Sequence, residues 1–142
     1  MEKSNIITVG YWSTKGLGAV CRMVVLYSGN SLKAKNYKLQ PVSKDNNLTY
    51  DGSEWHDSDK IDLKKRNSLI NLPYMELVNS SGDELLISQS NACLSFLGRK
   101  FNMFGKNEVE VSKCEQLLLE TNDLRSVISC LLYTSPSPRD GR

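Results

Sequence analysis

Histidine is nearly missing from this chain, and paired cysteine is missing altogether. His56 is the one histidine, and Cys21, Cys93, Cys114 and Cys130 are scattered with no C-x-x-C spacing. That speaks against a His/Cys metal centre, and against a thiol–disulfide exchange site, which needs paired cysteines near the first strand–helix junction. Cys21 and Cys93 sit among apolar residues and are expected as buried, reduced thiols. Charge of one sign is lacking too: 18 Lys and Arg against 16 Asp and Glu leave a net +2. Such a balance gives no electrostatic footprint for nucleic acid or an anionic membrane, and the run Lys64-Lys65-Arg66 reads as a solvated loop. No stretch approaches the roughly 20 apolar residues of a membrane span, and the start MEKSNIITV is too polar for a signal peptide. The expectation is a soluble cytoplasmic protein that uses no metal or cofactor.

What is present is a globular composition, 39% hydrophobic and 24% charged over 142 residues, enough for one domain with a sizeable core. Asn5 to Val9 reads as a strand, and Leu17 to Tyr27 (LGAVCRMVVLY) as a largely buried helix. Ala34 to Leu39 alternates weakly, as a second strand would. Gln40 to Ser68 turns polar and reads as a long surface excursion with one helical turn near Trp55. Tyr74 to Val78 and Glu84 to Ile87 flank turn chemistry at Asn79 to Asp83, predicting a hairpin. A helix is predicted over Ser88 to Phe101 with Ser88 or Ser90 as N-cap, and another over Glu108 to Ile128 after Gly105. The order βαβ-α-ββα implies an α/β, thioredoxin-like amino-terminal domain with a mixed sheet, followed by the start of an all-α domain. Pro73, ahead of a strand, suits a cis peptide at a loop edge.

The stretch ITVGYWSTKGLG (Ile7 to Gly18) holds the first candidate chemistry. Its glycines do not space as G-x-G-x-x-G or as a P-loop, so a nucleotide cradle is poorly supported. Tyr11 remains, at the carboxyl end of a strand and beside a helix N-terminus, where open α/β sheets bind ligands. From spacing alone, an aromatic capping the core is the favoured alternative. Gln89-Ser90 at a helix start offers either plain capping or a grip on a ligand carboxylate. Trp55 is either a staple for its loop or the wall of a pocket.

Taken in order, GYW with a polar triplet and GL (Gly10 to Leu17), S-E-W (Ser53 to Trp55), N-L-P-Y (Asn71 to Tyr74) and Q-S-N-A-C-L (Gln89 to Leu94) resemble the glutathione transferases of the mu class. The resemblance runs from about Ile6 to Gly105 and more loosely to Ile128. It implies conjugation of glutathione, as co-substrate, to a hydrophobic electrophile by a homodimer. Tyr11 matches the tyrosine whose hydroxyl hydrogen-bonds the glutathione sulfur. Trp12 and Leu17 match residues lining the glycyl and cysteinyl parts, and Trp55 and Lys60 match residues at the glycine end. Asn71 and Leu72 match the segment that pairs with the cysteinyl backbone. Gln89 and Ser90 match the pair holding the γ-glutamyl group. Asp123 falls where an acidic residue of a neighbouring subunit reaches the γ-glutamyl amine. A non-catalytic thioredoxin-fold module that binds glutathione is the alternative.

The chain departs from that pattern in places. The family's arginine three residues before the tryptophan is Gly52 here, a loss of about 1–3 kcal/mol of glutathione binding if nothing replaces it. Lys60 is offset by one residue, and the turn Val78 to Glu84 is longer. The expected division is a glutathione-binding domain over 1–105, the first helix of a truncated helical domain over 106–129, and a non-native tail over 130–142. Cys130 to Asp140 (CLLYTSPSPRD) follows no helical period and resembles the translation of a transposase sequencing adapter.

Overall fold

A computed structural model of the chain describes residues 6–44, 47–78, 82 and 84–134. The chain separates into two compact units, Met1–Met103 and Phe104–Arg142. The first holds β1 (Ile6–Trp12), α1 (Gly16–Tyr27), β2 (Ser31–Tyr37), β3 (Gln40–Lys44), β4 (Asn47–Asp51) and a wide π-type turn (Trp55–Asp59). It continues with α2 (Lys60–Arg66), β5 (Tyr74–Val78), β6 (Glu84–Ser88) and α3 (Ser90–Lys100). β1 runs parallel to β2 and antiparallel to β5, and β6 pairs antiparallel with β5, giving the order β2-β1-β5-β6. This is the predicted mixed, thioredoxin-like sheet.

Alternation along β1 decides which chemistry lies on which face. Ile7 and Val9 join Met75 and Leu77 of β5, Cys21 and Val25 of α1, and Cys93 and Leu97 of α3 in one core, each at most 4% exposed. Burial of such side chains contributes about 1.5–3 kcal/mol apiece. The opposite face carries a second, aromatic cluster of Tyr37, Trp55, Ile70 and Tyr74. Gly10 points to that second face, and a Cβ there would lie 2.0 Å from Cε1 of Tyr74. β1 is therefore crossed by a tyrosine ring that only glycine admits.

The segment expected as a surface excursion is more ordered than its polarity suggests. β3 and β4 form an antiparallel hairpin, with Val42 opposite Thr49, and Thr49 Oγ1 donates to the Val42 carbonyl at 2.9 Å. The hairpin makes a sheet of its own, so the one-face alternation of a half-buried strand is missing from its sequence. The turn and α2 follow, and Trp55 is the buried residue they contribute. Boundaries also shift: β1 extends to Trp12, and β2 begins at Ser31 and ends at Tyr37. The expected turn at Asn79 to Asp83 lies mostly outside the described residues. Leu72–Pro73 is cis.

In the second unit α4 spans Glu108–Thr134. Asn107 Oδ1 accepts from the Glu110 N–H, and the Glu110 carboxylate accepts from the Lys106 N–H, a reciprocal arrangement that occupies exposed donors at a helix start. The helix passes Ile128 and enters the segment expected to lack helical character. No glycine or proline occurs between Lys106 and Ser135, and Pro136 is the first residue that opposes a helix.

Gly10→Ala is expected to lower stability by about 1–3 kcal/mol, because the tyrosine ring or the strand must move. Thermal melts check this, and an unchanged melting temperature would contradict the packing described.

Candidate active site

Tyr11, next to last in β1, is on the face that α1 covers, and two glycines determine how it lies. A Cβ on Gly18 would stand 2.4 Å from the Tyr11 Cβ, and one on Gly16 would stand 2.7 Å from the Tyr11 hydroxyl. Gly16 also has φ +32°, a region that disfavours residues with a side chain. The Tyr11 hydroxyl is thus pressed against the first turn of α1. Lys15 occupies the N-cap position without a side-chain hydrogen bond, so first-turn N–H groups beside that hydroxyl have no side-chain cap. Leu17, in the same turn, is half-buried. A hydroxyl donor next to the positive end of a helix suits an anion.

Across the sheet, Trp55 is fully buried. Its indole stacks on Tyr74, with centroids 5.7 Å apart and 18° between planes, and meets the tilted ring of Tyr37 at 5.0 Å. Trp55 is therefore a core residue as well as a candidate site residue. Its indole Nε1–H is buried with no acceptor, and an indole can only donate. Trp12 and Leu72 pack against this cluster. Trp12 lies 6.0 Å from the ring of His56, and Lys60 Nζ approaches His56 Nδ1 at 3.4 Å. A Cβ on Gly52 would touch both Trp12 and His56 at 3.1 Å. Trp12, Trp55, Leu72 and Lys60 are thereby gathered around Gly52, His56 and the aromatic cluster.

Asn71 is exposed, and its Oδ1 accepts from the Leu72 N–H at 3.0 Å. The backbone donor expected to meet a ligand is held by its neighbour in this form.

The start of α3 differs from expectation. Neither Ser88 nor Ser90 provides an N-cap hydrogen bond; Gln89 holds the N-cap position, with φ +75° and ψ +117° and no side-chain cap. Ser88 is spent elsewhere, its hydroxyl donating to the Leu69 carbonyl at 2.9 Å. A non-glycine residue at positive φ is strained backbone of the kind that collects at ligand sites. Gln89 and Ser90 thus begin a helix whose N-terminus no side chain caps. The Cys21 thiol reaches the Ser90 carbonyl at 3.9 Å, tying the start of α3 to α1. Cys21 and Cys93 are fully buried, and contact with Cys21, then burial, pushes the Cys93 thiol far up, holding it protonated. Asp123 is exposed on α4, in the second unit.

The network sequence reasoning missed runs behind Trp55. Tyr37 donates to Asp59 Oδ2 at 2.6 Å, Lys35 Nζ meets the same oxygen at 2.8 Å, and the Tyr37 and Tyr74 hydroxyls are 3.0 Å apart. The hydrogen bond from Lys35, then that from Tyr37, holds the Asp59 carboxyl below its ordinary 3.8. Burial, reinforced by Asp59, pushes the Tyr37 hydroxyl far up. No group of three or more His, Cys, Asp or Glu side chains among the described residues is arranged to hold a metal ion.

No family model matches the chain. Glutathione S-transferase 2 of Gallus gallus is 32% identical over 130 residues, which cover 91% of this chain and 53% of that protein. Glutathione S-transferase Mu 6 of Mus musculus is 33% identical over the same lengths and shares. The chain spans about half the length of the curated relatives it matches. Among solved structures, a C. elegans specific GST aligns with TM-score 0.63 at 20% identity, covering 94% of this chain and 56% of that one. A Fasciola hepatica sigma class GST aligns at 0.64 and 17%, covering 94% and 55%. These likenesses establish the fold.

The lowered pKa of Asp59 gives stability that is complete above its ordinary 3.8 and is lost as pH falls through its lower folded value. The melting-temperature advantage of the wild type over Asp59→Asn is expected to hold steady at neutral pH and shrink below 3.8. Melts across that range check it; an advantage undiminished in strong acid would contradict the network.

Proposed function

We propose, on the premise that the chain is kin to the mu-class glutathione S-transferases, that it carries the glutathione-activating half of an enzyme conjugating glutathione to hydrophobic electrophiles. The observation that carries this reading is the Tyr11 hydroxyl, set by Gly16 and Gly18 against the uncapped first turn of α1. A hydroxyl there donates to the glutathione sulfur and favours thiolate over thiol, lowering the sulfur's pKa. The thiolate then attacks an electrophilic carbon and the leaving group departs with the electron pair. No protein base is needed, because the nucleophile is already ionised.

The rest of the site follows the chemistry of the tripeptide. Trp12 and Leu17 line its glycyl and cysteinyl parts. The unpaired Trp55 indole N–H and the Lys60 ammonium suit the glycine carboxylate, in place of the arginine absent at Gly52. The backbone at Asn71 and Leu72 pairs with the cysteinyl residue once the Asn71 side chain releases the Leu72 N–H. Gln89, Ser90 and the uncapped start of α3 suit the γ-glutamyl carboxylate. Asp123 of a second subunit meets the γ-glutamyl amine, which makes the working form a homodimer. The reaction uses no metal or cofactor and is assigned to the cytoplasm, where glutathione is reduced.

The ultraviolet difference spectrum of bound glutathione tests this reading. Thiolate absorbance is expected at neutral pH and is expected to be lost in Tyr11→Phe. Loss of one hydrogen bond to a charged sulfur corresponds to about a ten- to hundredfold fall in kcat/KM wherever conjugation is measurable. A glutathione complex without thiolate absorbance, or with absorbance that survives the substitution, overturns the role of Tyr11 and leaves a non-catalytic binding module.

A further inference from the structure

The segment carrying Trp55 is irregular, although the indole itself packs in the aromatic cluster. The turn Trp55–Asp59 is broken at Ser58 (φ −129°, ψ −108°), and neither Glu54 nor Asp59 makes a side-chain cap. α2, which follows, buries none of its residues. A tryptophan on so short and irregular a piece of chain needs anchors outside it.

Two carboxylates supply them, one on each side of Trp55, and both engage the end of β2. Glu54 Oε2 accepts from the Lys38 N–H at 2.6 Å. Asp59 Oδ2 accepts from the Tyr37 hydroxyl at 2.6 Å and from Lys35 at 2.8 Å. The Asp59 anchor reaches further, because an ionised carboxylate can only accept. Tyr37 therefore commits its proton to Asp59, and the Tyr74 hydroxyl must donate to Tyr37 across their 3.0 Å contact. The proton order Tyr74 to Tyr37 to Asp59 orients both rings between which the Trp55 indole rests. Tyr74 follows Pro73 directly, so the same chain of bonds ends next to Leu72.

We propose that Asp59 is a positioning residue for the glycine end of the site, setting the Trp55 indole through Tyr37 and Tyr74. This rests on the glutathione reading above. Asp59 does not touch the ligand; it determines where the buried, unpaired Trp55 indole donor stands. An amide at 59 can turn its NH2 toward Tyr37 and reverse the proton order, and it cannot neutralise Lys35.

The test is hydrogen exchange of the indole N–H in wild type, Asp59→Asn and Tyr37→Phe. Only Trp12 and Trp55 contribute indole signals. In both variants the Trp55 indole is expected to exchange at least about tenfold faster, while backbone amides of Val9 and Val25 keep their protection. Unchanged Trp55 exchange overturns the proposal, as does loss of protection at Val9 and Val25 to the same degree in both variants. Lys35→Gln, which removes the exposed partner alone, keeps the test decisive if the other variants fold poorly: it must loosen Trp55 to a smaller extent, and no loosening counts against the proposal. Calorimetry supplies the ligand arm. Asp59→Asn is expected to weaken S-methylglutathione about tenfold and to leave γ-glutamylcysteine, which lacks the glycine, unaffected. Equal weakening of both refutes a role specific to the glycine end. A wild type that binds neither ligand refutes the glutathione reading, while indole exchange still decides whether Asp59 holds Trp55.

Discussion

The missing side chains at Gly10 of β1 and at Gly18 of α1 are the constraint on which the rest of the unit depends. Gly10 admits the ring of Tyr74 on one face of the sheet, and Gly18 admits the ring of Tyr11 on the other. A tyrosine ring thereby lies on each face at successive positions of β1, Tyr74 over Gly10 and β1's own Tyr11 on the other side, as alternation dictates. Tyr74 in that place gives Trp55 a surface to stack on. Tyr11 in its place sets a hydroxyl against the start of α1. The aromatic cluster and the hydroxyl share a single backbone and cannot drift independently, because the ladder joining Gly10 to Tyr74 and Val9 to Met75 fixes their register.

α1 and α3 both begin without a side-chain cap at the candidate site. An N-cap residue ordinarily contributes about 0.5–2 kcal/mol, so leaving two ends bare sacrifices stability at the places where donors are useful. The contrast with α4 is instructive. There Asn107 accepts from the Glu110 N–H and Glu110 accepts from the Lys106 N–H, so side chains take up donors at that helix start. At α3 the strained backbone of Gln89 adds a further cost, which packing of Cys93 and Leu97 into the main core offsets.

How much of this could be read from residues alone depends on whether the signal was local. The sheet and its helices were legible because Ile7, Val9, Met75 and Leu77 alternate and the α1 sequence is apolar over three turns. Tyr11 was legible as a candidate because an aromatic before two glycines marks a crowded strand–helix turn, although spacing could not say which way the ring points. The β3–β4 hairpin was not legible, since it forms no side of the main core and its residues carry no one-faced pattern. The serine N-cap expected at α3 failed because Gln89 takes that position at positive φ, while the Ser88 hydroxyl is turned to the Leu69 carbonyl nineteen positions away in sequence. The bonds among Lys35, Tyr37, Asp59 and Tyr74 draw on three separate elements. Only the topology brings them together.

Gly52 also reads differently in three dimensions. By sequence it is the loss of a family arginine and so of one contact to a carboxylate. In the fold, the space next to it is taken: any Cβ at 52 meets Trp12 and His56 at 3.1 Å, tight enough that one of the two rings must give way. The glycine thus permits the approach of Trp12 to His56, and His56 in turn stands within reach of Lys60. An ammonium on a flexible stem carries the same charge as the missing guanidinium but lacks its planar fork. A carboxylate held from here would be gripped as a point charge and oriented by other donors. The buried indole N–H of Trp55 is a donor without a partner of its own, so the bonds proposed to fix Trp55 would carry more weight here than beside an arginine.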